Sequence, residues 1–147
     1  MKTIKADILS NIDPNKLTII LHGCNCFHTM GAGIAKYLAN KFPEVLQADQ
    51  TTVKGGTGKL GSFSIATINP NLFVVNCYTQ HYWGACARLE YIENCLATFI
   101  RYGGSKLPQA DIRLPMIGCG FGGLKWDDVE PICSHYFFNL PATVYYL

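Results

Sequence analysis

No apolar stretch in this sequence approaches the ~20 residues that cross a bilayer. The opening residues, Met1 to Leu9 (MKTIKADIL), also lack the charged head, apolar run and small-residue cleavage site of a signal peptide. No membrane contact is expected, and the expected location is cytoplasmic. Charge is scarce. Lys plus Arg is 12 and Asp plus Glu is 10, a net charge of +2, and the cations are scattered without a basic run. That balance does not argue for a nucleic-acid scaffold, although a small polyanion needs only a local site. Repeats, low-complexity segments and linkers are missing too. Apolar residues at 49% against 15% charged exclude a disordered tail. Paired zinc-binding clusters are also lacking. His22, Cys24 and Cys26 alternate on one strand face, but no second cluster supplies the matching pair of a structural site. Neither a metal nor a cofactor is expected. The seven cysteines are odd in number and several stand in apolar runs, as free buried thiols of a reducing compartment do.

What is present is enough for one domain. A chain of 147 residues buries roughly two-thirds of the surface its unfolded form exposes, so residues 1–147 are expected to form a single monomeric domain. Strands are expected at Thr3 to Ile8, Leu17 to Gly23, Phe63 to Ile68, Leu72 to Tyr78, Asp111 to Pro115 and Ala142 to Leu147. Helical spacing covers Gly33 to Lys41, a segment running from Pro43 to Lys54, Ala87 to Tyr102 and Asp127 to Phe138. The order β-β-α-α-β-β-α-β-α-β predicts an α/β protein with a mixed sheet between helical layers. Ligands of such sheets bind beyond the carboxyl ends of the strands.

Two segments that follow strands are rich in glycine. His22-Gly-Cys-Asn-Cys-Phe-His-Thr-Met-Gly-Ala-Gly-Ile-Ala35 leads a buried strand into a helix, and Met116-Ile-Gly-Cys-Gly-Phe-Gly-Gly-Leu-Lys-Trp126 does the same. Small residues at a helix N-terminus let a phosphate approach free N–H groups. Each loop alone reads equally well as a tight turn. Neither is a P-loop, since G-x-x-x-x-G-K-[ST] is absent. Gly118 to Gly123 has dinucleotide-loop spacing but lies too late in the chain for the opening βαβ unit.

Taken together with Lys5-Ala-Asp-Ile8, these segments resemble the macro domain family over essentially the whole chain. The resemblance implies a three-layer α/β/α domain with about six strands, and a small-molecule ADP-ribose derivative as ligand. It implies that Asp7 and Ile8 meet the adenine and that Asn25 contacts the distal ribose, while for Tyr145 the alternatives are stacking on the adenine and plain packing. It further implies that Met30, Gly31, Ala32, Gly33 and Ile34 face Gly118, Cys119, Gly120, Phe121 and Gly122 across the phosphates; for Phe121 the alternatives are covering the distal ribose and plain packing. His22-Gly-Cys-Asn25 and the Leu124-Lys-Trp126 ending are similar to a branch containing ADP-ribose-1″-phosphate phosphatases and hydrolases that remove ADP-ribose from acidic side chains or DNA bases. The branch's glycohydrolases carry a Lys after the strand matching Leu72 to Tyr78, where this chain has Gln80 or its neighbours. Protein-directed members carry an Asp where this chain has Gly122. A Gln cannot form the covalent ribose adduct that a Lys amine forms.

The expected activity is therefore hydrolysis of ADP-ribose 1″-phosphate, with His22 and Asn25 as the catalytic pair. His22 would act as general acid or base or bind the terminal phosphate, and the alternative for it is a satisfied histidine at a strand end. A non-catalytic binder and a hydrolase acting on ADP-ribosylated protein or DNA remain open. His28 and Thr29 are further candidates for the distal pocket, Asp127 and Asp128 favour the start of the last helix, and Trp83 and Trp126 are expected to pack.

Overall fold

The Leu17-to-Gly23 run carries apolar residues at successive positions, and the reason is that both faces of its strand are covered. In a computed structural model describing residues 1–147, it forms the centre of one six-stranded sheet. The strands are β1 (Lys2–Lys5), β2 (Thr18–Cys24), β3 (Phe63–Asn69), β4 (Leu72–Tyr78), β5 (Asp111–Leu114) and β6 (Ala142–Tyr146). The helices are α1 (Gly33–Lys41), α2 (Pro43–Gln50), α3 (Leu89–Gly103) and α4 (Trp126–Tyr136). The sheet order is β1-β6-β5-β2-β4-β3. Every neighbouring pair is parallel except β3 with β4, so the sheet is mixed, as expected.

Alternation along the strands separates two apolar layers. Ile19 and Leu21 of β2, with Val75 and Cys77 of β4, pack under Ile92, Leu96 and Phe99 of α3 and Val129 and Cys133 of α4. Ile20 and Val74 point the other way, toward Leu38 of α1 and Val45 of α2. The five parallel strands deliver their carboxyl ends to one edge, and the two glycine-rich segments leave from β2 and β5 there.

Three of the boundaries that shift do so for a clear local reason. β1 stops at Lys5 instead of Ile8, because Asp7 Oδ1 accepts the Leu9 N–H at 2.8 Å and turns the chain. α2 stops at Gln50 instead of Lys54. The Thr51 and Thr52 hydroxyls donate back to the carbonyls of Ala48 and Asp49, each at 2.6 Å, and so compete with the helix ladder. α3 starts at Leu89 instead of Ala87, because the Ala87 and Arg88 amides are engaged by the carbonyls of Gly122 and Thr79.

Arg113 holds the turn after β1 in place. This β5 side chain is 2% exposed, and a buried guanidinium needs partners for its donors. Its donors reach the carbonyls of Ile8 (2.9 Å), Ser10 (2.5 Å) and Asn11 (3.3 Å), and Asp111 Oδ2 accepts at 2.9 Å. The same group lies 4.9 Å from the centre of the Tyr145 ring. One side chain thus ties the Asp7–Asn11 turn and Tyr145 to the sheet. Arg113→Lys keeps the charge but cannot supply the planar fork. The variant is expected to lose roughly 2–4 kcal/mol of stability in chemical denaturation, with faster hydrogen exchange at the Leu9 and Ser10 amides.

Candidate functional site

Backbone amides dominate the carboxyl edge. The N–H groups of Gly31, Ala32, Gly33, Ile34 and Ala35 donate to no acceptor in the protein, and neither do those of Gly120, Phe121 and Gly122. The first series opens α1, whose first turn has no acidic residue and no side-chain cap. Such a terminus carries partial positive charge and free donors, a combination suited to an anion. The second is a run of three successive amides, donors of the kind that bind anions. The two series adjoin. A methyl group built on Gly33 would lie 3.4 Å from the Phe121 ring, which is 68% exposed and rests over the start of α1. Gly33 has φ +59°, a left-handed value that would strain any side chain placed there.

The second loop is seated on the segment after β4. A Cβ at Gly122 would come within 2.6 Å of the Gly118 carbonyl and 2.8 Å of the Ala87 Cβ, so no side chain fits. Burial, with a smaller contribution from Asp128, pushes the Cys119 thiol up to about 11, and burial raises Cys24 as well. Neither thiol is an activated nucleophile. No group of three His, Cys, Asp or Glu side chains is placed to hold a metal ion.

At the β1–β6 end, the Tyr37 hydroxyl donates to Asp7 Oδ2 at 2.6 Å. That bond, then the Leu9 amide, holds the Asp7 carboxyl below its ordinary range. Asp7 remains exposed and ionised, with lone pairs left to accept an amino group. Ile8 is buried beside it, and Tyr145 is half-buried against Arg113.

Beyond β2 and β4, Asn25 is turned into its own loop. Its amide nitrogen donates to the Thr29 hydroxyl (2.7 Å) and carbonyl (3.1 Å), and its Oδ1 accepts the Phe27 N–H at 2.9 Å. In this arrangement the second lone pair of Oδ1 is left free to accept. His28, at φ +59°, shares a hydrogen bond with Thr52 at 3.2 Å, and Met30 is half-buried against the α1–α2 layer. Gln80 donates to the carbonyls of Tyr82 (2.6 Å) and Gly84 (2.8 Å), folding residues 80–84 into a tight loop.

A model of the macro domain family matches residues 21–133. The chain belongs to this family. It is 36% identical over 148 residues to an uncharacterized 17.5 kDa protein of Enterobacteria phage T4, covering 98% of this chain and 94% of that one. It is 31% identical over 132 residues to the DNA ADP-ribosyl glycohydrolase of Mycobacterium tuberculosis, covering 86% of this chain but 37% of the glycohydrolase. Identity to the ADP-ribose 1″-phosphate phosphatase of Candida albicans is 26% over 151 residues, covering 97% and 96%. The macrodomain of Mycobacterium tuberculosis DarG superposes with a TM-score of 0.84 at 26% identity, covering 99% of this chain and 97% of that one.

Within this macro domain, His22 does not reach the cleft, and the expectation of a proton-transferring histidine is corrected here. Its side chain is 0% exposed, on the sheet face that carries Ile20 and looks toward α2. The ring Nε2–H donates to Asn76 Oδ1 at 2.6 Å, and Asn76 Nδ2 donates to the Val45 carbonyl of α2 and to Ser64, each at 3.1 Å. Burial pulls the imidazole down to about 4, with the Asn76 bond opposing. A group that is neutral and sealed at pH 7 has no geometry for acid–base work on a ligand. His22 is the satisfied histidine. Trp83 is corrected as well: it is 55% exposed instead of packed. The features missed by sequence reasoning are Arg113, signalled only by a charge inside an apolar strand, and the exposed rings after Gln80, signalled by His81-Tyr-Trp83 between polar and small residues.

His22 links stability to pH. The unfolded chain takes up a proton near the ordinary histidine value of 6.5, whereas the folded state refuses it until about 4. Protons therefore favour unfolding, and the stabilising contribution, complete above 6.5, falls away as pH drops toward 4. The native protein should lose up to about 3 kcal/mol more than His22→Gln between pH 7 and pH 4, measured by urea denaturation at both values.

Proposed function

We propose that this macro domain binds ADP-ribose along the carboxyl edge and hydrolyses ADP-ribose 1″-phosphate to ADP-ribose and phosphate. The observation that carries the reading is the pair of adjoining amide series, residues 31–35 and 120–122. Asp7 takes the adenine amino group, the amides hold the diphosphate and the departing phosphate, and Asn25 accepts from the distal ribose. Water adds to C1″ as the C1″–O bond breaks. The bonding pair leaves with the phosphate, and the proton of the attacking water passes to solvent. A phosphate, whose second ionisation lies near pH 6, is a stable anion and needs no proton donor to depart. Preorganised N–H groups aimed at it stabilise the charge that develops. A base nitrogen, in contrast, departs poorly without a proton, and His22 is sealed away from the cleft. The similarity to the Candida albicans phosphatase along nearly the full length of both chains supports the same reading.

The test is incubation with ADP-ribose 1″-phosphate in ¹⁸O-water, followed by mass analysis of the phosphate. Released phosphate is expected to be unlabelled, because the bond broken is at carbon. Gly33→Val, which puts a side chain at a left-handed residue against Phe121, should weaken ADP-ribose binding at least tenfold. ADP-ribose binding without phosphate release would leave the protein a binder, and labelled phosphate would refute cleavage at C1″.

A further inference from the structure

The sheet ends laterally at β1 and β3, and the two borders are built differently. β1 is Lys-Thr-Ile-Lys, exposed along its whole length, with a lysine at each end. Charged side chains on a border strand keep another chain from pairing with it. β3 is Phe-Ser-Ile-Ala-Thr-Ile-Asn and carries no charge. No Asp, Glu, Lys or Arg occurs between Lys59 and Arg88, and Lys59 is turned onto the Thr52 hydroxyl (2.8 Å) and the Tyr78 ring. The ladder to β4 is regular from Phe63 to Thr67 and shifts register only beyond Thr67. Neither a bulge nor a proline interrupts that stretch. A regular, uncharged border strand is a template for a further strand.

The register says which groups are on offer. The Tyr78 N–H donates to the Ser62 carbonyl at 2.9 Å, and these two residues continue the β3–β4 pairing by one step. Bonded and non-bonded pairs alternate along an antiparallel ladder. Ser64 and Ala66 therefore bond to Asn76 and Val74, while Phe63, Ile65 and Thr67 turn N–H and C=O away from β4. No group of the chain meets these outward donors and acceptors. On the α3 face, Phe63 and Ile65 pack against the core, and the Phe63 ring meets Phe99 at 6.3 Å and Tyr102 at 5.8 Å. Tyr102 is 71% exposed beside this border. A row of unpaired backbone groups thus runs along an apolar, partly aromatic flank.

The row is symmetric about Ile65, and that symmetry names the partner. An antiparallel copy of the same strand sets Ile65 opposite the partner's Ile65 and Phe63 opposite the partner's Thr67. Every outward N–H of Phe63, Ile65 and Thr67 then meets an outward C=O. The strand has no charge to select an unlike partner, and its apolar flank matches its own copy. Pairing of β3 with β1 of another copy would propagate into a filament, and the lysines of β1 oppose it. We propose that β3 pairs with β3 of a second copy of this chain, antiparallel about Ile65, to form a closed two-fold dimer with one continuous sheet. The axis runs normal to the sheet and reverses strand direction. The carboxyl edges of the two copies therefore face opposite ways, and each cleft stays complete within its own chain. The protein is then a divalent particle instead of the expected monomer, whatever reaction its clefts perform.

Sedimentation equilibrium from micromolar to millimolar protein is expected to show a monomer–dimer equilibrium, because an interface of one strand and its flanking side chains is small and weak. Hydrogen exchange then locates the contact. Protection of the Phe63, Ile65 and Thr67 amides should rise with the dimer fraction, while the Ser64 and Ala66 amides stay protected at every concentration. Ile65→Lys and Ile65→Glu each set like charges face to face across the dimer. Each variant should be monomeric where the native chain is dimeric, and an equal mixture of the two should restore a dimer. Thr67→Pro, at an exposed side chain, removes only a donor turned away from β4 and serves where a charge at residue 65 prevents folding. It should lower the association constant at least about tenfold with the circular dichroism spectrum unchanged. A monomer at all concentrations, a dimer whose Phe63, Ile65 and Thr67 amides exchange freely, or filaments in place of a dimer would each overturn the proposal.

Discussion

Backbone donors without acceptors are the constraint around which this protein is organised. An amide left unpaired in a dry interior costs about 1–3 kcal/mol, so a fold can keep eight of them only where water or a ligand reaches them. The parallel sheet meets that condition by sending the loops after β2 and β5 to one open edge. Neighbouring loops there bring residues 31–35 beside residues 120–122, with the Phe121 ring lying across Gly33. The two open amide series are thus a consequence of strand order and small residues, and no charged side chain has to build them.

The rigidity of that edge comes from polar groups buried beneath it. His22, Asn76 and Ser64 are linked to the Val45 carbonyl, and the Tyr78 hydroxyl joins Ser64 at 2.9 Å to Asp49 at 2.7 Å. This chain of bonds crosses β2, β4, β3 and α2, and its members have partners, which is the condition under which a buried polar network rigidifies a core. Burial raises the Tyr78 phenol, so it stays a donor to Asp49. Arg113 plays the matching part at the other end, where its bonds fix the turn bearing Asp7. The loops are held from below and from the side, while their upper N–H groups stay free.

The sheet, the layers and both loops were legible in the sequence because their signals are local: apolar runs for strands, helical spacing, and glycines where strand meets helix. The site residues were less so. His22 follows the apolar run of β2, and its sequence neighbours cannot say which face it takes. Only the pairing with β4 sets it opposite Asn76 and under α2. Arg113 was unreadable for a related reason, since its partners at Ile8, Ser10 and Asn11 are about a hundred residues away. Trp83 was misjudged because aromatic residues usually bury, and its exposure depends on a loop closed by Gln80 hydrogen bonds that no residue-type pattern encodes.

The two departures from the branch's hydrolases, at Gln80 and Gly122, are one feature. A Cβ at residue 122 would lie 3.1 Å from Gln80 Oε1 as well as against Gly118 and Ala87, so the glutamine and the absent side chain fit one another. With Gln80 turned inward to Tyr82 and Gly84, the space over the second loop is closed to a side chain and lined by backbone. A carboxylate at residue 122 would collide with the loop it sits on. At both positions the cleft surface is then backbone and not a reactive side chain. A surface made of N–H groups can hold negative charge but cannot supply a proton from a titratable acid, so the proposed reaction depends on the stability of the leaving anion.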